Sequence, residues 1–173
     1  MELTLILGAN GSGKSAFAET LAVEKSGKRY YIAAMQPQSE DDHRRIEKHR
    51  AQRAGKDFET IELAADVSRA RIEKKSVVLL EDVSNLLANR MFGTDGDALT
   101  DTLNDILALG EKCASLIAVS ISGLDETEYS GETAEYIRAL NILNDEFGKK
   151  ADAVYIMQDG KAKKVPAVGG ELT

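Results

Sequence analysis

The chain has 173 residues, 43% of them apolar, which is enough for one domain with a proper core. Lys and Arg number 22 against 29 Asp and Glu, a formal charge of −7, and the sequence pI is near 5.0. Such a surface argues against a nucleic-acid partner, whose binding draws on cations set against phosphates, and for a small-molecule substrate.

Leu3–Leu7 is a short apolar, β-branched run that reads as a buried strand, and Ala16–Ala22 reads as the helix after it. Gly27 closes that helix and residues 29–34 form a second strand. Pro37 breaks the pattern, and Ser39 is a fitting N-cap for a charged helix over residues 40–54, acids first and bases later. Residues 58–63 alternate like a strand. A polar helix reaching Lys75 is expected next, with Val67, Ala70 and Ile72 as its sparse apolar contacts. Val77–Leu80 is a buried strand ending in Glu81-Asp82. Helical patterns cover 83–92 and 97–113, the second containing the single cysteine, Cys113, which excludes an internal disulfide and is expected to pack. Residues 116–121 form another strand, 132–147 a long helix, and 153–157 with 162–165 a final hairpin around the turn 158–161.

Strands alternating with helices imply a mostly parallel sheet covered on both faces. The expected fold is therefore a P-loop NTPase (RecA-like) three-layer α/β sandwich with a short antiparallel C-terminal strand. Residues 1–173 make one nucleotide-binding domain, with 166–173 as a frayed tail. No secretory signal precedes the first strand and no apolar run approaches the ~20 residues of a membrane span, so a cytoplasmic location is expected.

The chemistry starts at Gly8-Ala9-Asn10-Gly11-Ser12-Gly13-Lys14-Ser15, which fits Gly-x4-Gly-Lys-Ser/Thr between a strand and a helix. Glycines let the backbone curl so that N–H groups face a phosphate, and the helix N-terminus adds partial positive charge. Lys14 would reach the β- and γ-phosphates and the Ser15 hydroxyl would ligate Mg2+. An acid after an apolar strand is the usual partner of that magnesium. Either Glu81 or Asp82 could serve, and strand alternation points only one of them inward.

Both histidines lie in the charged helix. Arg45, Ile46, Gln52 and Arg53 share the side of His49, whereas His43 points elsewhere. An uncharged imidazole is nucleophilic, and the arginines could stabilise charge on an attacked phosphate. The same segment also reads as a solvated, charge-laced surface helix.

These segments resemble the bifunctional adenosylcobinamide kinase/adenosylcobinamide-phosphate guanylyltransferase family. The matching stretches are Tyr31-Ile32-Ala33-Ala34, Glu40-Asp41-Asp42, Arg45-Ile46-Glu47-Lys48-His49, Arg53 and Phe58-Glu59-Thr60-Ile61-Glu62. Leu79-Leu80-Glu81, Asn89, Arg138 and Asn144 match further on. The resemblance implies that His49 attacks the α-phosphate of GTP and carries GMP to the phosphate of a corrinoid substrate. It also implies kinase activity at the phosphate loop with GTP or ATP, Arg53, Glu62 and Glu81 as nucleotide contacts, and a homo-oligomer, a trimer. The chain reads as a divergent member. Ala9 and Gly11 replace a Gly and an Arg, Phe58 a Trp, and Asp82 a Cys, while Gly123–Glu128 replaces a Gly-rich segment with Val-Pro.

Two other readings compete. Asn10–Ser15 also suits ABC-type and SMC-type ATPase modules, but no Leu-Ser-Gly-Gly-Gln signature follows and the acids run Glu-Asp, not Asp-Glu. A small-molecule P-loop kinase, with His49 merely on its surface, is the other.

Overall fold

A computed structural model describes residues 1–166. The expected tail lies, from residue 167 onward, outside them. Seven strands form one sheet in the order β3-β2-β4-β5-β1-β6-β7. They span β1 Glu2–Gly8, β2 Arg29–Ala33, β3 Phe58–Glu62, β4 Val77–Glu81, β5 Ser115–Ile121, β6 Ala153–Gln158 and β7 Lys161–Val165. The first six run parallel, and β7 returns antiparallel beside β6. The central strands β1, β4 and β5 are buried almost throughout, which is why they read as continuous apolar runs without alternation.

Helices cover both faces. On one side, α1 (Lys14–Glu24) packs Ala18 and Ala22 against Ile6, Leu79, Ile117 and Val119. On the other, α3 (Val83–Gly93), α4 (Ala98–Glu111) and α5 (Gly131–Lys150) bury Leu86, Leu87, Ile106, Leu109, Leu140, Leu143 and Phe147 against Leu5, Ile32, Leu80 and Ala118. Cys113 joins this second core, as its sequence context indicated.

The charged helix is α2 (Glu40–Arg53). Ser39 caps it, its Oγ accepting from Asp42 N at 3.1 Å, a contact typically worth about 1 kcal/mol. Of its fourteen residues only Arg53 is buried. The expected helix between Leu63 and Lys75 does not form. One 3-10 turn, Val67–Arg69, is its only regular part. Val67 and Ala70 are pulled into the core, but with Ile72 they do not make the repeating stripe a helix needs, so tertiary burial takes precedence over local pattern.

Candidate functional site

The strands end in a cleft of about 900 Å³, walled by the phosphate loop, α2 and the ends of β2, β3 and β4. Parallel sheets place ligands at these carboxyl ends. Gly8 closes β1 tightly. A Cβ there would lie 2.6 Å from Ser12 Oγ and 3.1 Å from the Met157 carbonyl oxygen, so only glycine lets the loop fold back over β6. Gly13, at φ 92°, makes the left-handed turn into α1, and no side chain caps that helix. Its first amides are thus left for an anion.

Inside the loop, Lys14 Nζ donates to the Ala9 carbonyl at 2.6 Å and Ser12 N to the same oxygen at 3.3 Å. Lys14 is 8% exposed, and burial lowers its pKa against the opposing pull of Asp82 and Glu81. Ser12 Oγ is buried without a partner. Gly8 and Ala9 shape the loop from beneath, while Asn10 through Ser15 line the cleft.

The two acids after β4 take different tasks. Glu81 Oε1 accepts from Ser15 Oγ, and Glu81 Oε2 accepts from the Tyr31 hydroxyl at 3.0 Å. Burial would raise the Glu81 carboxyl, but contacts from His49, Ser15 and Tyr31 outweigh it and hold the group below its ordinary value. Asp82 instead N-caps α3, Oδ1 accepting from Asn85 N at 2.7 Å. The residue keeps partial solvent access along the cleft, yet its carboxyl sits deep among protein atoms, and burial together with the neighbouring Glu81 charge raises its pKa. It is Glu81, not Asp82, that meets Ser15.

Across the cleft, His49 turns Nδ1 inward, 3.5 Å from Glu81 Oε2. That separation is at the outer limit of contact, and Nδ1 is buried with no hydrogen bond of good geometry. His49 is itself one of the residues lining the cleft. One turn on, the Arg53 guanidinium lies 3.3 Å over the centre of the Tyr31 ring, with Nη1 buried and unpartnered. Gln52 Nε2 is likewise buried without a partner. Glu62 stands at the exposed rim, its Oε1 3.4 Å from Arg50 Nη2. His43, exposed near the start of α2, is also among the residues that border the cleft.

Tyr31 lines the cleft and touches both Glu81 and Arg53, a placement with no signal in the sequence, since a tyrosine inside an apolar strand carries none of its own. Asn89 was noted only by resemblance. Its Nδ2 donates to the Ala34 and Ala64 carbonyls at 2.9 and 2.7 Å, clipping the ends of β2 and β3 into one wall. Among the described residues no group of three or more His, Cys, Asp or Glu could cage a metal. A hydroxyl and a carboxylate meeting beside a phosphate loop instead suit Mg2+, which takes one or two protein oxygens and completes its shell with water and substrate phosphates. Among the described residues no helix is long and apolar enough to cross a membrane.

The family model for cobinamide kinase / cobinamide phosphate guanyltransferase matches residues 4–165, which include every cleft residue named above. No curated protein matches the chain. Among solved structures, an isolated ATPase domain is similar with TM-score 0.54 and 11% identity, over 95% of this chain and 80% of that one. A prototypical ATPase from the type III secretion system of pathogenic bacteria is similar with TM-score 0.53 and 11% identity. That match covers 91% of this chain and 51% of the ATPase, so the chain spans about half its length. At such identity these likenesses establish a P-loop ATPase fold of the RecA-like kind and nothing finer.

Proposed function

The chain belongs to the cobinamide kinase / cobinamide phosphate guanyltransferase family, whose members are bifunctional enzymes of cobalamin biosynthesis, and from that premise we propose that it phosphorylates adenosylcobinamide and then transfers GMP from GTP to the product through a guanylyl group on His49. The observation that carries this reading is the single carboxylate of Glu81, which touches Ser15 of the phosphate loop on one oxygen and faces His49 Nδ1 with the other. A surface histidine would have no such tie to the triphosphate site.

In the guanylyl half-reaction the His49 Nε2 lone pair attacks the α-phosphorus of GTP. A P–N bond forms, the bond to the bridging α–β oxygen breaks, and pyrophosphate leaves with that electron pair. Positive charge gathers on the imidazole as the bond forms, and the Glu81 carboxylate beside Nδ1 offsets it. Arg53, with its free Nη1, is set to balance negative charge on the α-phosphate. A phosphate oxygen of the corrinoid then attacks the same phosphorus, the P–N bond breaks, and the pair returns to Nε2. For the kinase half-reaction the loop amides and Lys14 hold the β- and γ-phosphates while the substrate hydroxyl oxygen attacks the γ-phosphorus; the bond to the bridging β–γ oxygen breaks, the nucleoside diphosphate leaves with that electron pair, and the hydroxyl proton passes to solvent. Ser15 and Glu81 Oε1 are the residues that would hold Mg2+, which supplies charge neutralisation of the phosphate oxygens when bound. Glu62, at the exposed rim of the cleft, is the residue we assign to the nucleoside end of GTP.

Intact-mass spectrometry tests the reading after incubation with GTP and magnesium, kept away from acid because phosphoramidates hydrolyse there. A GMP-sized adduct in the wild type and none in His49→Ala, with GTP affinity within about threefold, is the expected result. An adduct of equal yield in both proteins, or none in either while GTP stays bound, overturns the guanylyl step.

A further inference from the structure

Tyr31 lies in β2, 5% exposed, within the apolar layer beneath α1. Phosphate-loop chemistry does not require a tyrosine there, yet its two ends touch two different parts of the cleft. The hydroxyl donates to Glu81 Oε2 at 3.0 Å, the same oxygen that stands 3.5 Å from His49 Nδ1. The ring carries the Arg53 guanidinium at 3.3 Å and is itself held edge-on by Phe58, with centroids 6.5 Å apart and planes at 81°. Register explains the reach. Tyr31 pairs with Leu79 and Ala33 with Glu81, so Tyr31 and Glu81 are diagonal neighbours on one sheet face.

We propose that Tyr31 is a positioning residue: its hydroxyl pins the Glu81 carboxylate against His49 Nδ1, and its ring sets Arg53 beside the same imidazole. A carboxylate held at Nδ1 favours the tautomer protonated there, which leaves the lone pair on Nε2. The 3.5 Å Nδ1 contact should shorten as charge builds on the ring. Without the phenol, Glu81 Oε2 is free to turn toward Ser15, and His49 loses its orienting partner. The ring's role is separate. A guanidinium buried on an aromatic face is held in one plane, so its unpartnered Nη1 meets an anion without first losing side-chain freedom. The consequence for catalysis rests on the reading of His49 as nucleophile; the positioning itself is measurable without nucleotide.

The test has two arms. In the first, ring 15N shifts of His49 are recorded on nucleotide-free protein, in a His43→Gln background so that one histidine remains, at a pH where the ring is neutral. The wild type should be mainly protonated at Nδ1, Tyr31→Phe should move toward a mixture, and Tyr31→Phe should add little in a Glu81→Gln background. In the second, Tyr31→Phe should slow adduct formation about 10- to 100-fold with GTP affinity unchanged, as loss of an outer-shell partner does. Tyr31→Leu should also weaken GTP binding, because Arg53 loses its platform. Thermal melts check that each variant folds. An unmoved tautomer in Tyr31→Phe, or a rate loss fully accounted for by weaker GTP binding, overturns the proposal. A moved tautomer in a protein that forms no adduct would leave Tyr31 as the positioning residue and remove the guanylyl reading instead.

Discussion

Replacing Lys14 with methionine separates binding from stability. The ammonium donates to Ala9 O at 2.6 Å inside the loop. On binding it exchanges that neutral acceptor for phosphate oxygens. One unit charge at about 4 Å in an effective dielectric near 20 gains about 4 kcal/mol. Giving up the Ala9 bond returns about 1 kcal/mol. The net loss in Lys14→Met is therefore about 3 kcal/mol, or roughly 150-fold in the GTP dissociation constant. Stability should move otherwise. Burial lowers the Lys14 pKa, which means that the fold disfavours the charged form relative to the unfolded chain. Removing the ammonium should then leave the thermal midpoint level or raise it. Calorimetric titration with GTP and magnesium, beside a melt of the free protein, measures both. A change in GTP affinity below about threefold would refute the role given to Lys14, and a binding loss matched by a falling midpoint would show that misfolding, not the missing charge, caused it.

Two further outcomes follow from burial and charge. Burial pushes the Cys113 thiol up to about 11, so the folded protein should resist an alkylating reagent at neutral pH and react only in denaturant; rapid labelling of the native chain, read by mass, would contradict its place in the core. The Asp42 carboxyl is held below its ordinary 3.8 by the Gln38 N–H first and by Ser39 next, with Arg45 adding to them. Its support of the α2 N-terminus should be complete above that ordinary value and lost as pH falls through the depressed one. Asp42→Asn should abolish that acid-side change in amide exchange over the first turn of α2, and a carboxyl titrating at or above 3.8 would contradict it.

The legible parts of this protein are those whose physics is local. A Gly-rich octet ending in a lysine and a serine determines a phosphate-binding turn because the conformation depends on residues within one turn of one another. Short apolar runs show buried parallel strands for the same reason. Ser39 with Asp42 marks the start of α2 three residues apart. Between Leu63 and Lys75 the local pattern is thin: three apolar residues suggest a helix, but the core takes them up without one.

The site needed the tertiary structure because its partners are far apart along the chain. Read along α2 alone, His49 shares its side with Arg45, Ile46, Gln52 and Arg53, yet the charged group that meets it is Glu81, thirty-two residues later on a strand inside the sheet. The choice between Glu81 and Asp82 was undetermined for the same reason. It was decided when α3 began at Val83 and took Asp82 for its cap, leaving Glu81 to Ser15. Tyr31 acquires its place only through the β2–β4 register, which sets its hydroxyl beside a carboxylate fifty residues away. Composition and motif thus point to a phosphate ligand, while the crossing of β2, β4 and α2 at one end of the sheet decides which groups line the cleft. Long-range pairing has no trace in any short window of sequence, because it is a property of how buried faces fit together.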